Sequence, residues 1–323
     1  MTTGTRVQSV VEVGGEPLAR LLEKVEERMA ELASGHGTVL AGHAGQMISA
    51  GGKRLRPLLV CLAAGAPPPE SEALVQAAVA VELVHGATLV HDDVLDGSPL
   101  RRGRPTVFAT GGRALAIATG DLLFSRAFAE LVGIGSVDAV RVLSRATGEL
   151  AQGELMQRGD AFDGEVSVER YLERCRLKTA VLFRAACELG ALAAGGPVQE
   201  LGLFGEQIGL AFQLLDDVLD VTGPPERTGK PRGADLLDGT VTLPVILARL
   251  RDPVLAELDL REVRSPEQAT EVCERIVLTG ALADAKSRAL DLVAAAKEGL
   301  PALPGRQRWA LELVADGVVD RYS

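Results

Sequence analysis

Residues 73–96 read ALVQAAVAVELVHGATLVHDDVLD. The apolar positions recur at intervals of three and four, the period of an α-helix, and no strict alternation of a strand is present. Tracing back from Asp92 gives Thr88, His85, Val81, Ala78, Ala77 and Leu74, which predicts that Asp92 prolongs the core-facing stripe. Gln76, Glu82 and His85 interrupt the apolar run, which ends in Asp92-Asp93, so a membrane span is not expected here. Outward from this stretch the same period dominates. Breakers cluster at 34–52, 65–70, 97–105, 159–165, 194–197, 222–234, 251–253 and 301–305, leaving roughly ten helical segments. No βαβ rhythm, solenoid repeat or linker appears, which predicts one all-α domain over 1–323.

The end of that stretch, Asp92-Asp93-Val94-Leu95-Asp96, recurs as Asp216-Asp217-Val218-Leu219-Asp220. On a helix, positions i and i+4 share a face about one turn (~5.4 Å) apart, which pairs Asp92 with Asp96 and Asp216 with Asp220. A solvated charged face is the bland reading of one such cluster. Two clusters on inward stripes argue against it, because grouped carboxylates raise one another's pKa values unless a cation compensates them. Hard divalent cations do so, and Mg²⁺ shares its remaining positions with water and phosphate oxygens. Two such walls would hold a diphosphate at a common mouth.

Basic residues accompany the acids: Gly51-Gly52-Lys53-Arg54-Leu55-Arg56-Pro57 as a glycine turn opening a helix, Arg101-Arg102-Gly103-Arg104-Pro105, Lys178-Thr179 in mid-helix, and Lys230 in a Gly/Pro loop. Arg and Lys are the side chains that bind phosphate oxygens. The net charge of −10 speaks against a nucleic-acid partner. The four cysteines (Cys61, Cys175, Cys187, Cys273) form no CxxC pair and read as reduced, mostly buried thiols of a cytoplasmic protein. The N-terminus has no basic patch followed by an apolar run, so no signal peptide is expected.

In this order and approximate spacing, GGKRLRP, ELVHGATLVHDDVLDGSPLRRGRPT, LKTAVLF, GLAFQLLDDVLDVTG, GKPRGADL and TLPVILA resemble the polyprenyl synthetase family, the trans-isoprenyl diphosphate synthases, over about residues 45–250. The resemblance implies a helical bundle around a deep central cavity, a homodimer, and joining of isopentenyl diphosphate to an allylic diphosphate. Carried over, Lys53, Arg56, His85 and Arg102 match the isopentenyl diphosphate site. Asp92, Asp96 and Asp216 match direct Mg²⁺ ligands, Asp93, Asp217 and Asp220 supporting ones, with three ions per active site when substrate is bound. Arg101, Lys178, Thr179, Gln213 and Lys230 match the allylic diphosphate site. Thr240 departs from the family, which commonly has a lysine just before TLP.

Metal and basic groups would stabilise the leaving diphosphate, and Thr179 and Gln213 would orient oxygens toward the allylic cation. Chain length should be set along the helix before Asp92, where short-product members tend to carry aromatics. Here Val84, Ala87 and Thr88 occupy those positions, and the chain is 3% aromatic. A product of C30–C50 is therefore expected, with peripheral contact with a membrane surface at its release. A floor supplied by another helix would give C20 instead. Terpene cyclases generally lack the second DDxxD, and head-to-head synthases use DxxxD pairs. A non-catalytic partner subunit would be expected to lose motif residues, and only the lysine at Thr240 is missing. Arg321, near the C-terminus, is a weaker candidate for the isopentenyl diphosphate site.

Overall fold

The computed structural model describes residues 3–34, 54–101, 103–223 and 231–320. Lys53, Arg102, Lys230 and Arg321, all named above, lie outside the described residues. The helices are α1 (Thr3–Ser34), α2 (Leu55–Ala64), α3 (Glu72–Leu95), α4 (Val107–Ile134), α5 (Val137–Gly159), α6 (Val168–Cys175), α7 (Val181–Ala194) and α8 (Val198–Thr222). They continue as α9 (Ala234–Leu237), α10 (Leu243–Arg249), α11 (Pro253–Glu257), α12 (Pro266–Leu278), α13 (Ala281–Glu298) and α14 (Gly305–Asp320). Among the described residues, extended pairing is confined to Leu100–Arg101 with Arg104–Pro105. The all-helical expectation therefore holds. A π-helical turn, Arg176–Ala180, joins α6 to α7 where an uninterrupted α-helix was expected around Lys178.

The chain falls into two compact units, residues 1–147, 182–205 and 299–317 in the first, and 148–181, 206–298 and 318–323 in the second. In the first unit α3 packs against α1, α2 and, most extensively, α4. Residues 77–84 of α3 are buried without a break, Glu82 included, so this helix is covered on nearly every side. That burial explains a segment long and apolar enough to cross a bilayer by length and composition. The stripe Leu18, Leu21, Val25 and Met29 of α1 keeps helical spacing and is buried, after a break at Gly15 (φ 71°). The last carbonyls of α2, orphaned by the helix end, accept from the buried Gln307 amide, Leu62 O at 2.9 Å and Ala63 O at 3.1 Å.

In the second unit α10 packs on α6, α11, α12 and α13. The buried face of α13 is Ala281, Ala285, Ala289, Val293 and Ala296, small side chains at helical spacing that let neighbouring backbones come close. α12 opens with a capping box between Ser265 and Gln268, which satisfies two of its orphan N–H groups. All four cysteines are buried and unpaired, as expected for reduced thiols.

Candidate active site

The first unit carries Arg56, His85, Asp92, Asp93, Asp96 and Arg101. Asp92 and Asp93 occupy the last turn of α3, and Asp96 is its C-cap. Helix C-termini carry partial negative charge, and this turn contains no basic residue, so three carboxylates sit where the dipole disfavours them. Their depths correct the expectation from the stripe. Asp93 is the buried member, Asp92 is half-buried and Asp96 is exposed. The reason is a partner rather than a period: Arg101 Nε donates to Asp93 Oδ1 at 2.8 Å and draws that carboxylate inward. Arg101, matched above to the allylic diphosphate site, is thereby held at this aspartate cluster.

Beside the cluster, Gly120 of α4 lies so close to His91 that a Cβ there would meet its Nε2 at 2.2 Å. His91 accordingly packs against α4, its ring tilted on Phe124 at 5.8 Å between centroids.

Arg56 lies with its guanidinium 4.6 Å from the centre of the Phe183 ring. Its Nε is buried and has no hydrogen-bond partner among the described residues. Burial lowers its pKa to about 10, against the pull of the Glu82 carboxylate. A buried donor left over in this way suits an anionic ligand. Its neighbour Arg54 instead closes a structural bridge, donating Nη1 to buried Glu82 at 2.8 Å and Nη2 to Glu26 at 3.0 Å. Of the three chain-length positions, Val84 and Ala87 are fully buried and Thr88 is half-buried, its hydroxyl bonded to His85 O at 2.8 Å.

The second unit carries Lys178, Thr179, Gln213, Asp216, Asp217 and Asp220. The last turns of α8 repeat the pattern of α3. Asp217 is buried, Asp216 exposed, Asp220 half-buried, and the last turn has no basic residue. Asp217 accepts from Tyr171 OH at 2.6 Å and from Gln213 Nε2 at 2.7 Å. Burial raises its pKa to about 8, helped by the charges of Asp235 and Asp216, while these two donors pull the other way. Asp220 is held by the chain that follows it: Asp235 N–H donates to its Oδ2 at 3.2 Å and Gly233 N–H to its carbonyl at 3.0 Å.

Lys178 and Thr179 share the π turn. Lys178 Nζ lies 2.6 Å from Glu154 Oε2, and Thr179 hydroxyl donates to Gln213 Oε1 at 2.7 Å. Burial works to raise the Glu154 carboxyl, but Lys178 and Arg158 outweigh it and hold it below the ordinary range. Thr240 half-buries its hydroxyl, which accepts from Gln157 Nε2 at 3.4 Å.

Sequence reasoning missed Tyr171, Glu154, Asp235 and Glu82. Asp235 stands inside the quoted GKPRGADL and could have been found there. For Tyr171 and Glu154 the signal is tertiary, since neither is near either aspartate cluster in the chain.

The sequence profile of the polyprenyl synthetase family matches residues 38–277. Component 2 of a heptaprenyl diphosphate synthase from Geobacillus stearothermophilus is 41% identical over 290 residues, 87% of this chain and 90% of that protein. A polyprenyl synthase from Caulobacter crescentus CB15, solved with calcium and isoprenyl diphosphate, superposes with a TM-score of 0.90 at 37% identity over 98% of each chain. A decaprenyl diphosphate synthase from Rhodobacter capsulatus gives 0.87 at 32% identity, covering 98% of this chain and 99% of that one. A chain that sets aspartate clusters on the ends of two buried helices, and keeps this likeness over almost its whole length, belongs to the polyprenyl synthetase family and is a polyprenyl diphosphate synthase, a prenyltransferase.

Proposed function

We propose that this synthase condenses isopentenyl diphosphate head to tail with an allylic diphosphate, in a Mg²⁺-dependent reaction that gives an all-trans product of C30–C50. The observation that supports it best is the shared plan of the two clusters. In each, the middle aspartate is buried and hydrogen-bonded, and the flanking carboxylates lie nearer solvent at a negative helix end. Such donors are all oxygen, which fits a hard cation such as Mg²⁺ and not a soft one. Asp92, Asp96 and Asp216 would hold the ions, three per site with substrate, and Asp93, Asp217 and Asp220 would support them. When bound, Mg²⁺ neutralises diphosphate oxygens and so favours their departure.

The chain's own residues do the rest. Arg101, Lys178 and Lys230 bind the allylic diphosphate, while Lys53, Arg56, His85 and Arg102 bind isopentenyl diphosphate. The allylic C–O bond breaks and the diphosphate leaves with the electron pair. The double bond of isopentenyl diphosphate attacks the cation, a C–C bond forms, and a proton passes to the released diphosphate. Thr179 and Gln213 turn oxygens toward the cation, and the apolar surroundings exclude the water that would trap it. The protein is proposed to act as one synthase domain, in the cytoplasm, as a homodimer that touches a membrane surface on product release.

Small side chains at Val84, Ala87 and Thr88 support the long product. Each helical turn is ~5.4 Å, close to one isoprene unit. The test is to size the products made from labelled isopentenyl diphosphate with dimethylallyl, geranyl, farnesyl and geranylgeranyl starters. The expected ladder ends at C30 or beyond, and Thr88→Phe shortens it by at least two isoprene units. A wild-type ladder ending at C15 or C20 would refute the length and retain the enzyme. A second reading, that the chain needs a different subunit, is favoured by the name of the Geobacillus relative, component 2. Elongation only after a partner is added would establish it.

A further inference from the structure

Tyr171 lies outside every motif quoted above, yet it closes a chain of hydrogen bonds that ends at two of them. It is fully buried, and its hydroxyl donates to Asp217 Oδ2 at 2.6 Å. Asp217 Oδ1 accepts from Gln213 Nε2 at 2.7 Å, and Gln213 Oε1 accepts from Thr179 hydroxyl at 2.7 Å. All four residues belong to the second unit.

The helices make this chain by their periods. Gln213 and Asp217, four apart on α8, share a face. Tyr171 and Thr179 are eight apart, which on a regular α-helix would separate them by about 80°. The π turn Arg176–Ala180 inserts one extra residue between them, which brings the two to within about 20° of a common face. The turn thus sets Tyr171 and Thr179 against the Gln213–Asp217 face.

The polarity of the chain follows from its chemistry. A side-chain amide can turn over and exchange its oxygen for its nitrogen, so some neighbour must choose. Asp217 Oδ1 chooses for Gln213 by accepting from its Nε2, which turns Oε1 to Thr179 and commits the Thr179 proton. Asp217 could itself rotate, and Tyr171 prevents that by pinning Oδ2. We propose that Tyr171 is a positioning residue for the allylic end of the reaction, acting through Asp217 on Gln213 and Thr179. The proposal rests on the synthase reading above.

Tyr171→Phe removes one oxygen atom and keeps the ring in its place. The variant is compared with wild type in steady-state elongation, with each substrate varied in turn, and in a thermal melt. Expected are an allylic KM raised about tenfold, a kcat lowered tenfold or more, and an isopentenyl diphosphate KM within twofold of wild type. Unchanged constants, or both KM values rising together in step with a large loss of Tm, would overturn the proposal. If Y171F does not fold, 3-fluorotyrosine incorporated at the chain's two tyrosines tests the same bond. Its more acidic hydroxyl should shift the allylic KM at least twofold with the fold intact, and an unshifted KM would overturn the proposal. A wild type that elongates no starter would sink the synthase reading first, and the proposal with it.

Discussion

Replacing Asp92 or Asp216 by Asn lowers elongation by about a thousandfold each, roughly 4 kcal/mol of transition-state stabilisation at 1.36 kcal/mol per tenfold. The substitution preserves shape and removes one anionic oxygen donor from the place where a divalent cation would bind. The fold should survive and gain slightly. Asp92 lies in the last turn of α3, which has no basic residue, while Asp216 lies about two turns before the end of α8, where its charge acts against buried Asp217. Removing a negative charge from a helix end such as that of α3 is worth about 0.3–1 kcal/mol. Loss of labelled isopentenyl diphosphate incorporation together with an equal or higher Tm of the metal-free protein is the expected pair of results. Two variants that incorporate label at the wild-type rate would remove the aspartates from the chemistry.

Gly153→Ala carries the second large effect. A Cβ at this position of α5 would stand 2.5 Å from Lys178 N and 2.8 Å from Leu177 C. Both are backbone atoms of the π turn or its immediate neighbourhood, and they cannot move aside as a flexible side chain can. Overpacking of this kind destabilises by about 1–3 kcal/mol. It would also push Lys178 and Thr179 together off their positions, and a displacement of about 1 Å can lower a rate about a hundredfold. Gly148→Ala is the control on the same helix, because a Cβ there meets nothing within 4 Å. In a helix interior that change is worth up to about 1 kcal/mol in favour of the fold. Urea unfolding and steady-state elongation of the two variants should therefore move in opposite directions for stability, with activity lost in G153A alone.

The helical class, the breaker-rich connections and the two aspartate clusters were legible because each is written in local spacing. The loops observed around 65–71, 160–167 and 195–197 coincide with the Gly/Pro-rich stretches. The second half of α1 carries its buried residues Leu18, Leu21, Val25 and Met29 at helical spacing after the break at Gly15. The depth of each aspartate was not legible. α3 is buried nearly all round, so no single stripe marks its inward side and the trace through His85 and Thr88 followed a half-buried edge. Which carboxylate turns inward is settled by Arg101 for Asp93 and by Tyr171 with Gln213 for Asp217.

The π turn was hidden for a related reason. Its residues, Arg176 to Ala180, have ordinary helix propensities, and the extra residue becomes useful only when Thr179 meets Gln213 across the packing. Glu154 likewise reads as a helix-surface acid until Lys178 is placed against it. Local pattern supplied the candidates, and tertiary partners set the role of each.

The most direct test of the central claim is incorporation of labelled isopentenyl diphosphate by the purified chain alone, with farnesyl diphosphate as starter, in Mg²⁺ and again in excess chelator. The account predicts chain elongation in Mg²⁺ that stops in chelator and returns when Mg²⁺ is restored. Folded protein that elongates no allylic starter in Mg²⁺, or that elongates equally well in chelator, would contradict it.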